Sequence, residues 1–220
     1  MLPLIVMDKI DTKQFDWLSK KWFSTADCIG ITPSQAKEFF DLICKQYNQK
    51  HRAYHNMSHL YSLLHVAEKY NDHVEAQNLV DLGIWFHDII YSIRRKDNEE
   101  KSADLAGELL KPYLNTYDLQ KIKLMIKATA NHQDMDDSID SQYLLDFDLS
   151  IFAANREVYK KYRKAIRKEF KRYPGFLFKM GRRKVLLRFL AKDRIYQTNE
   201  FHAAYEAKAR ENIQWEIENL

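Results

Sequence analysis

Apolar residues recur at three- and four-residue intervals along almost the whole chain, and no stretch alternates apolar with polar side chains between turn residues. That spacing lines up apolar groups on one face of a helix, not on one face of a sheet. The chain breakers agree, because 220 residues contain five glycines and four prolines, too few for the turns of a β architecture or for a flexible linker. The chain is therefore expected to be all-α: a helical bundle forming a single domain over residues 1–220, with a core over about 32–152 and a helical extension over about 155–220 packed on it.

The periodicity predicts about eight or nine helices. Thr32-Pro33-Ser34-Gln35 puts a capping hydroxyl before a proline at the first helical position, which starts a helix running to Tyr47. Further helices are expected over Ser58 to Tyr70 and His73 to Tyr91. Asp97 reads as a cap, with Glu99 and Glu100 in the first turn of a helix that Pro112 helps to end near Leu110. Others follow over Tyr117 to Asn131, Gln142 to Phe152 and Asn155 to Lys171. Tyr173-Pro174-Gly175 breaks the chain, and Gly181 is a second candidate break before Arg183 to Lys192; a last helix covers Asn199 to Leu220.

Hydrophobic residues make up 45% of the chain, ample for one sizeable core. The formal charge of +4 arises from 35 basic and 31 acidic residues, a mild preference for anionic ligands and no nucleic-acid signature. Cys28 and Cys44 lie far from any CxxC spacing and read as thiols in a reducing compartment. The apolar start, Met1 to Met7, reads as core or helix-docking sequence, and no window approaches the roughly 20 apolar residues of a membrane span. A soluble, cytoplasmic protein with no membrane partner is expected, its oligomeric state open and a homodimer among the options. The helix from Tyr159 to Arg172 interleaves tyrosines with cations, as some nucleic-acid binders do, but a solvated face or a contact with an acidic partner is the favoured reading.

Two short stretches carry the chemistry: Tyr54-His55-Asn56-Met57-Ser58-His59 and Trp85-Phe86-His87-Asp88-Ile89-Ile90. The second is apolar all round, so Asp88 should be buried, and a buried carboxylate must meet a cation or several donors. A divalent metal ion meets that demand and uses the adjacent imidazole. Helical neighbours point about 100° apart, so an ion shared by His87 and Asp88 needs further ligands from other helices. His59 is one candidate, and Asp146-Phe147-Asp148 offers a carboxylate from a later helix. Two histidines and two carboxylates suit Mn, Fe, Zn or Mg and leave room for water and substrate.

His59, then His87-Asp88, then Asp148 before a leucine resembles the H…HD…D pattern of the HD superfamily of metal-dependent phosphohydrolases. Tyr54-His55-Asn56 with His59 is similar to the YHNxxH motif of cyclic nucleotide phosphodiesterases within that superfamily. The pieces YHNMSH, WFHDIIY, DNEEKSA, LDFDLSI and GRRKVLLRFL resemble, over nearly the whole chain, a bacterial group of metal-dependent HD phosphohydrolases. The resemblance implies an HD-type helical fold. It implies a divalent ion (Mn, Mg, Zn, Fe, Ni or Co) on His59, His87, Asp88 and Asp148, with Asp88 also catalytic and His55 the proton donor. Asp146 is then the alternative carboxylate or a residue behind the ligands, and Glu99 lines the site or belongs only to the acidic first turn of its helix. By position, Arg94 and Arg95 are expected in contact with substrate or in a solvated loop, and His132 touches ligand or substrate or merely suits a helix C-terminus. Ile89 to Arg95 lacks the further His and Asn of the phosphodiesterases, so cyclic nucleotide specificity does not carry over. The activity implied is hydrolysis of a phosphate ester or anhydride in a nucleotide or related small phosphorylated compound. The alternatives are a non-catalytic nucleotide-binding or regulatory module and, behind it, a di-iron HD-type oxygenase.

Overall fold

The computed structural model describes residues 10–133, 135 and 137–220, so the apolar start at Met1 to Met7 lies outside the described residues. The described residues form ten α-helices and two short 3-10 turns, and no strand occurs among them. The first helix, which the periodicity did not delimit, is α1 (Thr12–Cys28); a reciprocal cap opens it, with Asp11 accepting from the Gln14 amide and the Gln14 side chain accepting from the Asp11 amide. Next come α2 (Pro33–Tyr47), capped by Thr32, and α3 (Met57–Lys69), capped by Asn56. The segment expected to be helical from His73 to Tyr91 is shorter: Asn71–His73 is a 3-10 turn and α4 covers Gln77–Phe86. Then follow α5 (Asn98–Leu110), α6 (Thr116–Ala128) and α7 (Ile139–Leu149), the last running into a 3-10 turn over Ser150–Ala153. The chain ends in α8 (Arg156–Glu169), α9 (Gly175–Leu190) and α10 (Asn199–Glu218).

Two local expectations are corrected. Asp97 occupies the N-cap position of α5 as expected, but its side chain makes no capping hydrogen bond, because its carboxylate is held by Arg95 through two hydrogen bonds of 2.9 Å. Gly181 does not break α9, which runs through it. A single helical glycine costs about 1 kcal/mol relative to alanine. The buried side chains of Leu186 and Phe189 further along the helix offset a penalty of that size.

Helix α4 is buried from Leu79 to Phe86 and packs against α1, α3, α6 and α7, with α5 laid along α6. Gly83 lets α7 approach closely, since a Cβ there would lie 2.5 Å from Leu144 Cδ1. One continuous apolar core runs from Leu18 and Trp22 through Trp85 and Phe147 to Phe201 and Ile213, so α10 shares it with α1. Trp22 and Trp85 meet edge to face at 5.5 Å inside it. These contacts fix α3, the end of α4 and α7 beside one another, and each of the three carries a piece of the site.

Candidate metal centre

Asn56 builds the first piece. Its side chain accepts from the Ser58 amide at 2.9 Å and the Ser58 hydroxyl at 2.7 Å, starting α3 so that His59 falls in its first turn, buried. His87 and Asp88 are positioned differently from the sequence expectation. The expected helix ran on to Tyr91 and held both; instead α4 stops at Phe86 and His87 is its C-cap. Carbonyls that a further helical turn would use are taken by side chains from elsewhere. Tyr47 Oη donates to Trp85 O at 3.2 Å, while buried Arg52 donates to Asp88 O at 2.6 Å and to Ile89 O at 2.8 Å. The chain turns after His87, and that turn lets two adjacent residues aim into one site.

Four ligand-type atoms converge there. His59 Nε2 lies 3.2 Å from His87 Nε2 and 3.3 Å from Asp148 Oδ1, and His87 Nε2 lies 3.8 Å from the same oxygen. His59, His87 and Asp148 form a group whose ligand atoms all fall within 4.8 Å of one another, and it could hold a metal ion. Asp88 flanks it, with Oδ2 at 3.3 Å from His87 Nε2 and 4.0 Å from His59 Nε2. Atoms bound about 2 Å from one ion stand at separations of this order. The hydrogen-bond pattern fits too. His87 Nδ1 lies 2.8 Å from Ile84 O, a pure acceptor, so Nδ1 carries a hydrogen and Nε2 is the nitrogen left to bind an ion in exchange for its proton. Without a cation, two imidazole nitrogens and two carboxylates face one another in a mostly buried space. Burial pushes the His87 pKa down, but Asp88 and then Asp148 outweigh it and hold it up to about 9. The cluster thus draws in positive charge.

Around these ligands stands a second ring of side chains. His132, at the unusual positive φ of 49°, donates from Nε2 to Asp148 Oδ2 at 2.8 Å, leaving Oδ1 to face the histidines. Lys192 Nζ holds the His132 carbonyl at 2.6 Å. Glu99, in the first turn of α5, is half-buried; burial raises its pKa, Asp88 raises it further, and His132 and His87 oppose this, so it lies within electrostatic reach of all three.

His55 sits on the turn before α3, half-buried, with Nε2 3.9 Å from Asp88 Oδ2. Its Nδ1–H is held at 2.8 Å by Oε2 of Glu169, which also accepts from Tyr91 Oη at 2.7 Å. The other oxygen, Oε1, accepts from the amides of Ala53, Tyr54 and His55 at 2.8, 2.7 and 3.0 Å. Burial alone would raise the Glu169 pKa; His55 and Tyr91 outweigh it and hold it at about 2. Sequence reasoning missed Glu169, which ends the basic helix α8, and it also missed Arg52.

Three expected site residues lie elsewhere. Asp146 does not support the ligands: two residues before Asp148 it faces the other side of α7, where it accepts from the Gln197 amide at 2.7 Å, the Thr198 amide at 2.8 Å and the Thr198 hydroxyl at 2.7 Å. It ties α7 to the start of α10. Arg95 is held by Asp97, and Arg94 lines a separate cleft with Lys50, His51 and Arg172. Neither lines the cleft that opens beside Asp148, whose described lining residues include His55 and His132. Tyr159 and Tyr162 of α8 are buried, so they offer no stacking platform. No helix among the described residues is long and apolar enough to cross a membrane.

Comparison of the chain with family models, with curated proteins and with solved structures finds no match.

Proposed function

We propose that the chain is a metal-dependent phosphohydrolase of the HD type that its motifs resemble. The observation that carries the reading is the convergence of His59, His87 and Asp148, flanked by Asp88, beside a histidine tethered through one ring nitrogen and open at the other. Asp88 joins the ligand set, and the ion is one of Mn, Mg, Zn, Fe, Ni or Co. When bound, such an ion supplies Lewis-acid polarisation of a phosphoryl oxygen and makes a water more acidic. The chain's own residues do the rest. Asp88 takes the proton of the attacking water. His55 Nε2 gives a proton to the leaving oxygen, while Glu169 keeps its Nδ1–H engaged and the ring fixed. The 3.9 Å between His55 and Asp88 is too long for a direct hydrogen bond and leaves them free to act on different atoms of a substrate. His132 orients Asp148.

Elemental analysis of the purified protein, followed by phosphate release from small phosphoesters with the metal found, tests this directly. His87→Ala and Asp148→Ala are expected to lose both the ion and turnover. Full metal occupancy in those variants, or no turnover of any phosphoester by the metal-loaded protein, overturns the reading.

A further inference from the structure

The cleft that opens beside Asp148, His55 and His132 encloses about 530 Å³, a size that accommodates a small organic ligand. Away from those three residues its walls, built mainly from the 3-10 turn after α7, from the α8 segment and from α9, are largely apolar, with Phe152, Ile166, Phe170, Leu177, Val185 and Phe189 joined by the rings of four tyrosines, Tyr54 and Tyr91 beside the cluster and Tyr162 and Tyr173 further out. Among the described residues lining it, Arg182 is the one lysine or arginine. Its guanidinium is already engaged, donating to both carboxylate oxygens of Glu216 at 2.9 and 3.0 Å and to Tyr162 Oη at 3.1 Å. A second phosphate lying beyond the ligand cluster would thus lose its water without gaining an unpaired cation. Apolar bulk in the same place is removed from water favourably.

Helix α9 widens the cleft at Gly181, one turn from Leu177 and one from Val185. A Cβ added there would meet nothing within 4 Å, so the missing side chain leaves open space instead of admitting a neighbour.

We infer that this cleft takes the apolar part of a phosphate monoester whose alcohol carries an aliphatic or aromatic group and no further charge. The inference rests on the phosphohydrolase reading for the phosphoryl end, and it departs from the nucleotide that the family resemblance suggests. In the reaction a water oxygen bonds to phosphorus and the bond from phosphorus to the alcohol oxygen breaks. Asp88 accepts the proton of the water and His55 protonates the departing oxygen, so inorganic phosphate and the hydrophobic alcohol are released with one water consumed.

The test is calorimetric titration of n-alkylphosphonates, methyl to octyl, into the full-length protein with manganese present, with phenylphosphonate and adenosine monophosphate as separate arms. Phosphonates bind without turning over. Affinity is expected to rise about two- to fourfold per added methylene until the cleft is full. Octylphosphonate should then bind more tightly than adenosine monophosphate, and phenylphosphonate more tightly than methylphosphonate. Gly181→Leu should flatten the series by filling the cleft, and Leu177→Ser should weaken the octyl compound while sparing the methyl one. Position 181 is open helix and Leu177 is 43% exposed, so both variants should keep wild-type thermal melts; the wild-type series decides the matter even where a variant does not. A flat wild-type series, tighter binding of adenosine monophosphate, or a steep series unchanged in both folded variants overturns the inference. Failure of the hydrolase reading looks different. A steep series with no phosphate released from octyl phosphate removes the enzyme and keeps the cleft, whereas equal release from methyl and octyl phosphate with flat binding keeps the enzyme and removes the cleft.

Discussion

At the scale of single residues, the division of labour between His55 and its ligand-bearing neighbours can be tested by leaving group. A general acid contributes about a hundred- to ten-thousandfold, and less when the leaving oxygen is already a stable anion. His55→Ala is expected to retain its metal, to be slow on alkyl phosphates and to be far less impaired on p-nitrophenyl phosphate; equal impairment on both would make His55 a positioning residue. Glu169→Gln keeps an oxygen for the three backbone amides but offers an NH₂ group where His55 and Tyr91 donate. A loss of about 10- to 100-fold in kcat is expected, as for other residues that orient a functional side chain. Because the folded pKa of Glu169 lies at about 2, below its ordinary 4.5, the stability it contributes is present above pH 4.5 and fades as pH falls toward 2. Denaturant midpoints measured across that window should fall less steeply in the glutamine variant than in wild type. His55 was legible in the sequence because YHNxxH carries it. Glu169 was not, since it lies 114 residues away in a run of cations, where one glutamate reads as relief of charge. Asp148 was preferred to Asp146 on the resemblance alone, for a related reason: two residues apart on a helix they face opposite ways, and only the neighbours of α7 decide which one meets the histidines.

At the scale of elements, several helix limits marked by local signals were legible and the limits of α4 were not: α2 runs from Pro33 to Tyr47 and α5 ends at Leu110 as expected, whereas α4 starts at Gln77 instead of His73 and stops at Phe86 instead of Tyr91. Thr32, Asn155 and the first turn of α10 announce themselves through local caps, which need no tertiary partner. The end of α4 depends on Tyr47 and Arg52, whose side chains arrive from a distant part of the chain, so the apolar run to Ile90 read as continued helix. Arg52→Met tests that account. It removes the donors to the Asp88 and Ile89 carbonyls while keeping an apolar stem of comparable length. We expect a stability loss of about 2–4 kcal/mol, from two buried acceptors left unpaired, and weaker metal binding by about 10- to 100-fold, as the turn carrying His87 and Asp88 loosens. Wild-type metal affinity in a folded Arg52→Met protein would mean that the turn holds itself. In α7, Asp146→Ala should unpair three donors at the start of α10 and lower stability by about 3 kcal/mol with metal content unchanged, the opposite outcome to Asp148→Ala.

At the scale of the whole molecule, His59, His87 and Asp148 come from α3, from the end of α4 and from α7, so an ion bound by this group would clamp three elements that are distant in sequence. A ligand that binds only the folded state at 100 times its Kd stabilises by about 2.7 kcal/mol. In a domain of this size that corresponds to about 5–10 °C, so a chelator should lower Tm by that amount and the metal should restore it; an unchanged Tm would rule out a clamp. The all-α class was legible because periodicity and scarce breakers repeat along the entire chain, while the meeting of residues from different helices is tertiary and leaves no local trace. The reach of Glu169 across the fold has a consequence for how such a protein can be taken apart. A chimaera of two related chains joined near residue 155 would inherit ion binding from its first parent alone, but proton delivery would depend on how well one parent's glutamate suits the other's histidine turn. Activity in such hybrids would then report the compatibility of the parents and not the quality of either half.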